Sequence, residues 1–115
     1  MNQPSRKRQL NNALILAVYV LLVSGAPVLA QELSRVDAGY RLAQEFCAEC
    51  HGIESEDLIS PKLDAPAFYD VANRPGMTAM ALSVWSRTPH PIMPNLVFSA
   101  DETSDLTAYI LSMKN

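Results

Sequence analysis

Apolar residues recur along this chain with two different rhythms. From Ala13 to Val23 they are continuous, interrupted only by the hydroxyl of Tyr19. Further on they return at helical intervals. Val36, Tyr40, Ala43, Cys47 and Cys50 follow one another at steps of four, three, four and three. Such steps lie on one helical face, which predicts a helix from about Arg35 to Cys50. Ser34 is placed to be its N-cap, with Asp37 three residues on, close to a capping box. Gly39 falls on the neighbouring edge of that face. A glycine inside a helix costs about 1 kcal/mol against alanine. A close crossing by another helix explains it better than a tolerated surface position.

The periodicity stops at Gly52. Between Gly52 and Pro66 the chain carries the acidic patch Glu54, Glu56 and Asp57, which predicts a solvated loop, and the stiffening prolines Pro61 and Pro66. Ala67 to Asn73 predicts a short helix, broken by Asn73-Arg74-Pro75-Gly76. A further helix is predicted from about Met77 to Ser86. Its stripe is Met77, Met80, Ala81, Val84 and Trp85, ordinarily a core face. Thr88 to Pro94 holds three prolines, which forbid helix and fix an extended loop. Ser99 and Glu102 then form a capping box, with Asp101 also favourable to the helix dipole. Leu106, Tyr109, Ile110 and Met113 give that last helix its apolar stripe, with Lys114 near its end. No strand, repeat or low-complexity tract is visible, so the predicted class is all-α.

The continuous apolar run changes the domain boundaries. It follows Arg6, Lys7 and Arg8 and leads through Ser24, Gly25 and Pro27 to Val28-Leu29-Ala30. Basic, apolar and small-residue zones in that order predict a cleaved signal peptide over residues 1–30 and a mature chain of 31–115 in the periplasm. The run is short for a membrane span; an uncleaved anchor is the rival. Removing residues 1–30 removes three of the nine basic residues and none of the twelve acidic ones, leaving a net charge of −6. That balance argues against a nucleic-acid partner and fits a docking partner that is basic or locally basic. At 85 residues the mature chain has a thin core for its surface.

The candidate chemistry sits where the first predicted helix ends. Cys47-Ala48-Glu49-Cys50-His51 contains both cysteines and one of the two histidines of the chain. Cys-x-x-Cys-His is the attachment signature of c-type haem. Two cysteines three apart on a helical turn face the same side, where each can form a thioether with one haem vinyl group. The next residue, His51, is then placed under the iron. A zinc site is poor, because no second Cys/His cluster supplies the remaining ligands. A redox-active disulfide is poor, because no βαβ pattern accompanies the motif. A covalently bound haem would also supply the apolar centre the domain lacks. A carbonyl in the loop after His51 is expected to accept the second ring N–H, as metal-bound histidines require. The Met77–Ser86 stripe would then wall the haem. The indole N–H of Trp85 needs a partner if buried, and a haem propionate is one candidate.

Two residues of the proline-rich loop can serve as the second axial ligand. His90 is held between Pro89 and Pro91, which limits its reach. Met93 has three flexible torsions and a soft sulfur, and Pro94 fixes the chain just beyond it. Met93 is therefore preferred over His90. Met77, Met80 and Met113 fall on predicted helix faces.

With these residues in place the chain resembles a class I, monohaem bacterial periplasmic cytochrome c over residues 32–115. Gly39 lies eight residues before Cys47, the haem motif is near the mature N-terminus, Met93-Pro94 forms a loop, and a capped C-terminal helix carries Tyr109. The resemblance implies a fold in which the first and last helices cross at Gly39 and Tyr109 around a covalently bound haem. It implies haem c held by Cys47, Cys50, His51 and Met93, and an electron carrier rather than an enzyme. Its partners would be redox proteins such as a membrane oxidoreductase complex, an oxidase or a dehydrogenase, met by a monomer that touches the membrane only transiently. Two departures from mitochondrial-type cytochromes are plain: there is no lysine-rich face, and the span between His51 and Met93 is short. A ligand-binding haem sensor and a dedicated dehydrogenase subunit are the alternative functions.

Overall fold

The computed structural model describes residues 6–89 and 92–115, and the side chains of these except 6–7 and 20–27. Among the described residues all regular structure is helical. The elements are α1 (Arg6–Phe46), α2 (Phe68–Ala72), α3 (Ala79–Ser86) and α4 (Ala100–Ser112). The chain divides into two compact units, Met1–Gln31 and Glu32–Asn115. In the first, Leu10, Leu14, Ile15, Val18 and Tyr19 are exposed. No helix of the described residues is long and apolar enough to cross a membrane.

In the second unit the expected first helix is corrected at both ends. Ser34 is not an N-cap, because α1 is already helical there. Its C-terminal limit is Phe46 rather than Cys50. The reason is visible in the backbone bonds. Cys47 N–H and Ala48 N–H both donate to the Ala43 carbonyl, and Cys50 N–H and His51 N–H both donate to the Cys47 carbonyl. The regular i to i−4 ladder thus gives way to tight turns just before Gly52.

The glycine crossing is found. A Cβ built on Gly39 would lie 2.0 Å from the Asp105 carbonyl oxygen and 2.7 Å from Tyr109 Cβ. Only a residue without a side chain lets the α1 and α4 backbones approach this closely. Tyr40 and Tyr109 pack beside the crossing with their rings tilted by 55° and centroids 5.3 Å apart. Ala43, Cys47, Leu106, Tyr109, Ile110 and Met113 continue the core on either side.

Helix α4 starts as its sequence predicts. The Ser99 hydroxyl accepts from Glu102 N–H and the Glu102 carboxylate accepts from Ser99 N–H. Hydrogen bonding from Ser99 to the carboxylate, first through its backbone N–H and then through its hydroxyl, holds the Glu102 carboxyl below the usual range. Its far end is clasped to the middle of the domain. Asn73 donates through Nδ2 to the Met113 carbonyl, Lys114 donates through Nζ to the Met77 carbonyl, and Asn115 N–H donates to Asn73 Oδ1. Gly76 takes a left-handed φ of 79° and turns the chain out of α2.

Helix α3 departs from expectation. It begins two residues later than Met77, with Thr78 as an N-cap whose hydroxyl accepts from Ala81 N–H. Of its own residues only Leu82 is buried, and Leu82 was not on the predicted stripe. Met77 is buried, but Met80 is 78% exposed and Trp85 53% exposed. The α3 face bearing Met80, Val84 and Trp85 therefore looks away from the polypeptide core.

Candidate functional site

The site is built on the turns that follow α1 and on the loop that folds back under them. Cys47 is buried against Ala43 and the α4 side of the core, and Cys50 is half-buried with a free thiol, as Cys47 has. Burial first, and then the neighbouring Cys50, push the Cys47 thiol up to about 11. Thiols that exchange disulfides have the opposite setting, a depressed pKa at a helix N-terminus or beside a cation. Here the pair follows a helix C-terminus. Among the described residues no group of three or more His, Cys, Asp or Glu side chains gathers to hold a metal ion directly.

His51 is oriented by one bond. Its Nδ1 lies 2.8 Å from the Pro66 carbonyl oxygen. A carbonyl can only accept, so Nδ1 carries the proton and Nε2 keeps its lone pair. The Phe68 ring lies beside the imidazole, with centroids 5.4 Å apart. The residue supplying the carbonyl could not be named from the sequence. Pro66 is singled out there only as a stiffener, yet its rigidity is what brings its own carbonyl to the ring.

The loop between Gly52 and Pro66 is not merely solvated. Gly52 N–H donates to the buried Ser60 hydroxyl, Lys62 N–H donates to the Cys50 carbonyl, and Phe68 N–H donates to the Gly52 carbonyl. Asp57 accepts through Oδ2 from both Ile53 N–H and Glu54 N–H. Glu54 accepts from the Tyr40 hydroxyl, tying the loop to α1. A Cβ on Gly52 would lie 2.8 Å from Asp57 Cβ, so the loop closes on a residue with no side chain. Asp57 anchoring the backbone just before it is an Asx pattern, a signal that the acidic patch hides. The site residues not foreseen are therefore Pro66, Phe68, Ser60 and Asp57.

The remaining expected site residues belong to other segments of the chain. Met93 is half-buried in a segment without regular structure, and Leu96 N–H folds back onto the Pro94 carbonyl just after it. Trp85 is on the outward face of α3. His90 lies outside the described residues, as does Pro91.

The family model for cytochrome c matches residues 36–114. The chain belongs to the cytochrome c family. No curated protein and no solved structure matched it. Haem c, covalently bound, is the cofactor of this family and of this chain, and its general role is that of a haem-based electron carrier. The residues present fit that group. Two thiols and an imidazole with a free Nε2 stand within five consecutive positions, and α3 presents apolar side chains outward.

Tyr109 of this cytochrome locks the loop to the last helix, its hydroxyl donating to the Ile53 carbonyl at 2.7 Å. Burial, and then the charge of Glu54, raise its phenol above the usual value. A raised folded-state pKa means that its stabilising contribution is complete below the unfolded value of about 10. The contribution is lost as pH rises past that value. Denaturant titrations of the holoprotein at stepwise increasing alkaline pH should show stability falling. Tyr109→Phe should flatten the fall, while costing about 1–3 kcal/mol at neutral pH for the unpartnered Ile53 carbonyl.

Proposed function

We propose that this cytochrome is a monomeric periplasmic carrier of single electrons, exported by cleavage after Ala30, that serves redox partners of a respiratory or dehydrogenase chain. The observation that supports it most is His51. It directly follows the thiol pair, and the Pro66 carbonyl fixes its Nδ1 as donor, which leaves Nε2 as the ligating nitrogen. Haem supplies a one-electron ferric–ferrous couple when bound. Cys47 and Cys50 would hold it through thioethers, and His51 Nε2 and the Met93 sulfur would ligate its iron. The hydrogen bond to Pro66 raises the basicity of the imidazole and keeps its plane fixed. The thioether of Met93 favours the ferrous state and raises the potential relative to two histidines. With the iron ligated by this chain's own side chains, no substrate would have to bind. Met80, Val84 and Trp85, exposed on α3, would lie against the bound haem and keep water from it.

The test is a spectrum of the ferric holoprotein and two variants. Wild type should show the methionine–ferric charge-transfer band. Met93→Ala should abolish it and open the iron to cyanide. The same change should lower the potential by on the order of 0.1 V, within the range of about 0.8 V that axial ligands set. His90→Ala should leave the band in place. A wild type without the band, together with a His90→Ala variant that binds cyanide, would assign the ligand to His90.

A further inference from the structure

The loop from Ile53 to Ala65 carries an unusual pair of properties: its backbone is tied down and its apolar side chains point out. Leu58 is 71% exposed, Ile59 77% and Leu63 91%. Isolated exposed leucines are ordinary. Three within six positions, on a segment this heavily hydrogen-bonded, form a preshaped knob. Ser60, between them, is buried and accepts from Gly52 N–H, so Ile59 cannot fold inward without breaking that bond. Lys62 N–H, just before Leu63, is bonded to the Cys50 carbonyl. The knob is therefore one hydrogen bond from the haem-attachment motif.

The surroundings of the knob are acidic. Glu49, Glu56 and Asp64 are exposed around it, with only Lys62 of opposite sign between Ile53 and Ala65. Glu54 and Asp57 add negative charge while serving as anchors.

We propose that Leu58, Ile59 and Leu63 form the docking knob for a redox partner protein that presents an apolar patch rimmed by lysine or arginine. The proposal rests on the electron-carrier function and names the surface and the partner's chemistry. Charge decides among possible occupants. A second copy would set carboxylates against carboxylates, since a two-fold contact repeats the same patch on both sides. An anionic membrane surface would repel the same rim. A cationic rim is attracted, and its attraction acts on the rate of encounter, while the apolar centre holds the complex.

The experiment uses the reduced holoprotein and a lysine-rich mitochondrial-type cytochrome c as oxidised probe, mixed by stopped flow at several ionic strengths. Ferricyanide, a small anion that needs no docking knob, is the control oxidant. Wild type should exchange electrons quickly at low salt and slow steeply as salt rises. Leu58→Ser/Ile59→Ser/Leu63→Ser should cut the rate at least about fivefold with an unchanged haem spectrum, a loss of roughly 1 kcal/mol at 1.4 kcal/mol per decade. Glu56→Gln/Asp64→Asn should flatten the salt dependence. A triple variant that exchanges at the wild-type rate overturns the proposal. So does one whose haem spectrum changes, because the knob would then pack on the haem. A wild-type dimer in sedimentation that the triple variant abolishes also overturns it, by assigning the knob to self-association. Failure of ferricyanide to oxidise the wild type would instead strike at the carrier function itself.

Discussion

Gly39→Ala should destabilise the holoprotein by about 3–5 kcal/mol, at the upper end of what a single substitution does. The added methyl carbon would sit 2.0 Å from the Asp105 carbonyl oxygen, 2.6 Å from its carbonyl carbon and 2.7 Å from Tyr109 Cβ. Ordinary contact begins at about 3.4 Å. Two of the three obstructing atoms belong to the α4 backbone, so no rotamer change relieves the overlap. The two helices must separate, and the core packed around them must open with them. Alanine would contribute about 1 kcal/mol of helix propensity, too little to offset that. A domain of this size has on the order of 5–15 kcal/mol in total, so most of the margin is consumed. Denaturant midpoints of wild type and variant decide the matter. An alanine variant as stable as wild type, or about 1 kcal/mol more stable, would show that the crossing is not close.

Cys47→Ala combined with Cys50→Ala should give a colourless chain without a cooperative unfolding transition. Alanine in place of the buried Cys47 removes only one sulfur, which by itself costs on the order of 1 kcal/mol. A larger loss has to come from the cofactor. Among the described residues no large side chain is fully buried, and small domains rarely gain enough from such a core alone. A thioether-linked haem stays on the chain in both states, but its apolar surface is buried only when the chain folds, so its attachment adds to folding stability. Haem staining on denaturing gels and circular dichroism melts read both halves of this expectation. Retained cooperative melting in the double variant would mean that the polypeptide core suffices.

How far the sequence could be read differs from one element to the next. Helix α4 was legible because its capping box and stripe are local. Gly39 was legible as a crossing because a mid-helix glycine has a cost that asks for a reason. The end of α1 was not. The spacing of Cys47 and Cys50 suits an α-helix and a tight turn equally, and the bonds to the Ala43 and Cys47 carbonyls choose the turn. For α3 the stripe identified which residues are apolar but not which side faces the polypeptide. Leu82 takes the core side, and Met80, Val84 and Trp85 take the other. Within the site the motif names itself through residue type and spacing. The Pro66 carbonyl does not, since every residue has a carbonyl and only the path of the loop decides which one meets His51. The clasp of Asn73, Lys114 and Asn115 onto distant backbone is invisible for the same reason.

The crossing at Gly39 also bears on the order in which the chain can fold. Gly39 and Asp105 touch through their backbones although they stand 66 positions apart. Closing a loop of that length costs on the order of 4 kcal/mol in chain entropy, and contacts this distant in sequence slow folding. Until α4 has been synthesised, helix α1 lacks the partner that it meets backbone to backbone. A nascent chain that lacks α4 is therefore without the long-range contact that closes the core, and that closure waits for the last helix.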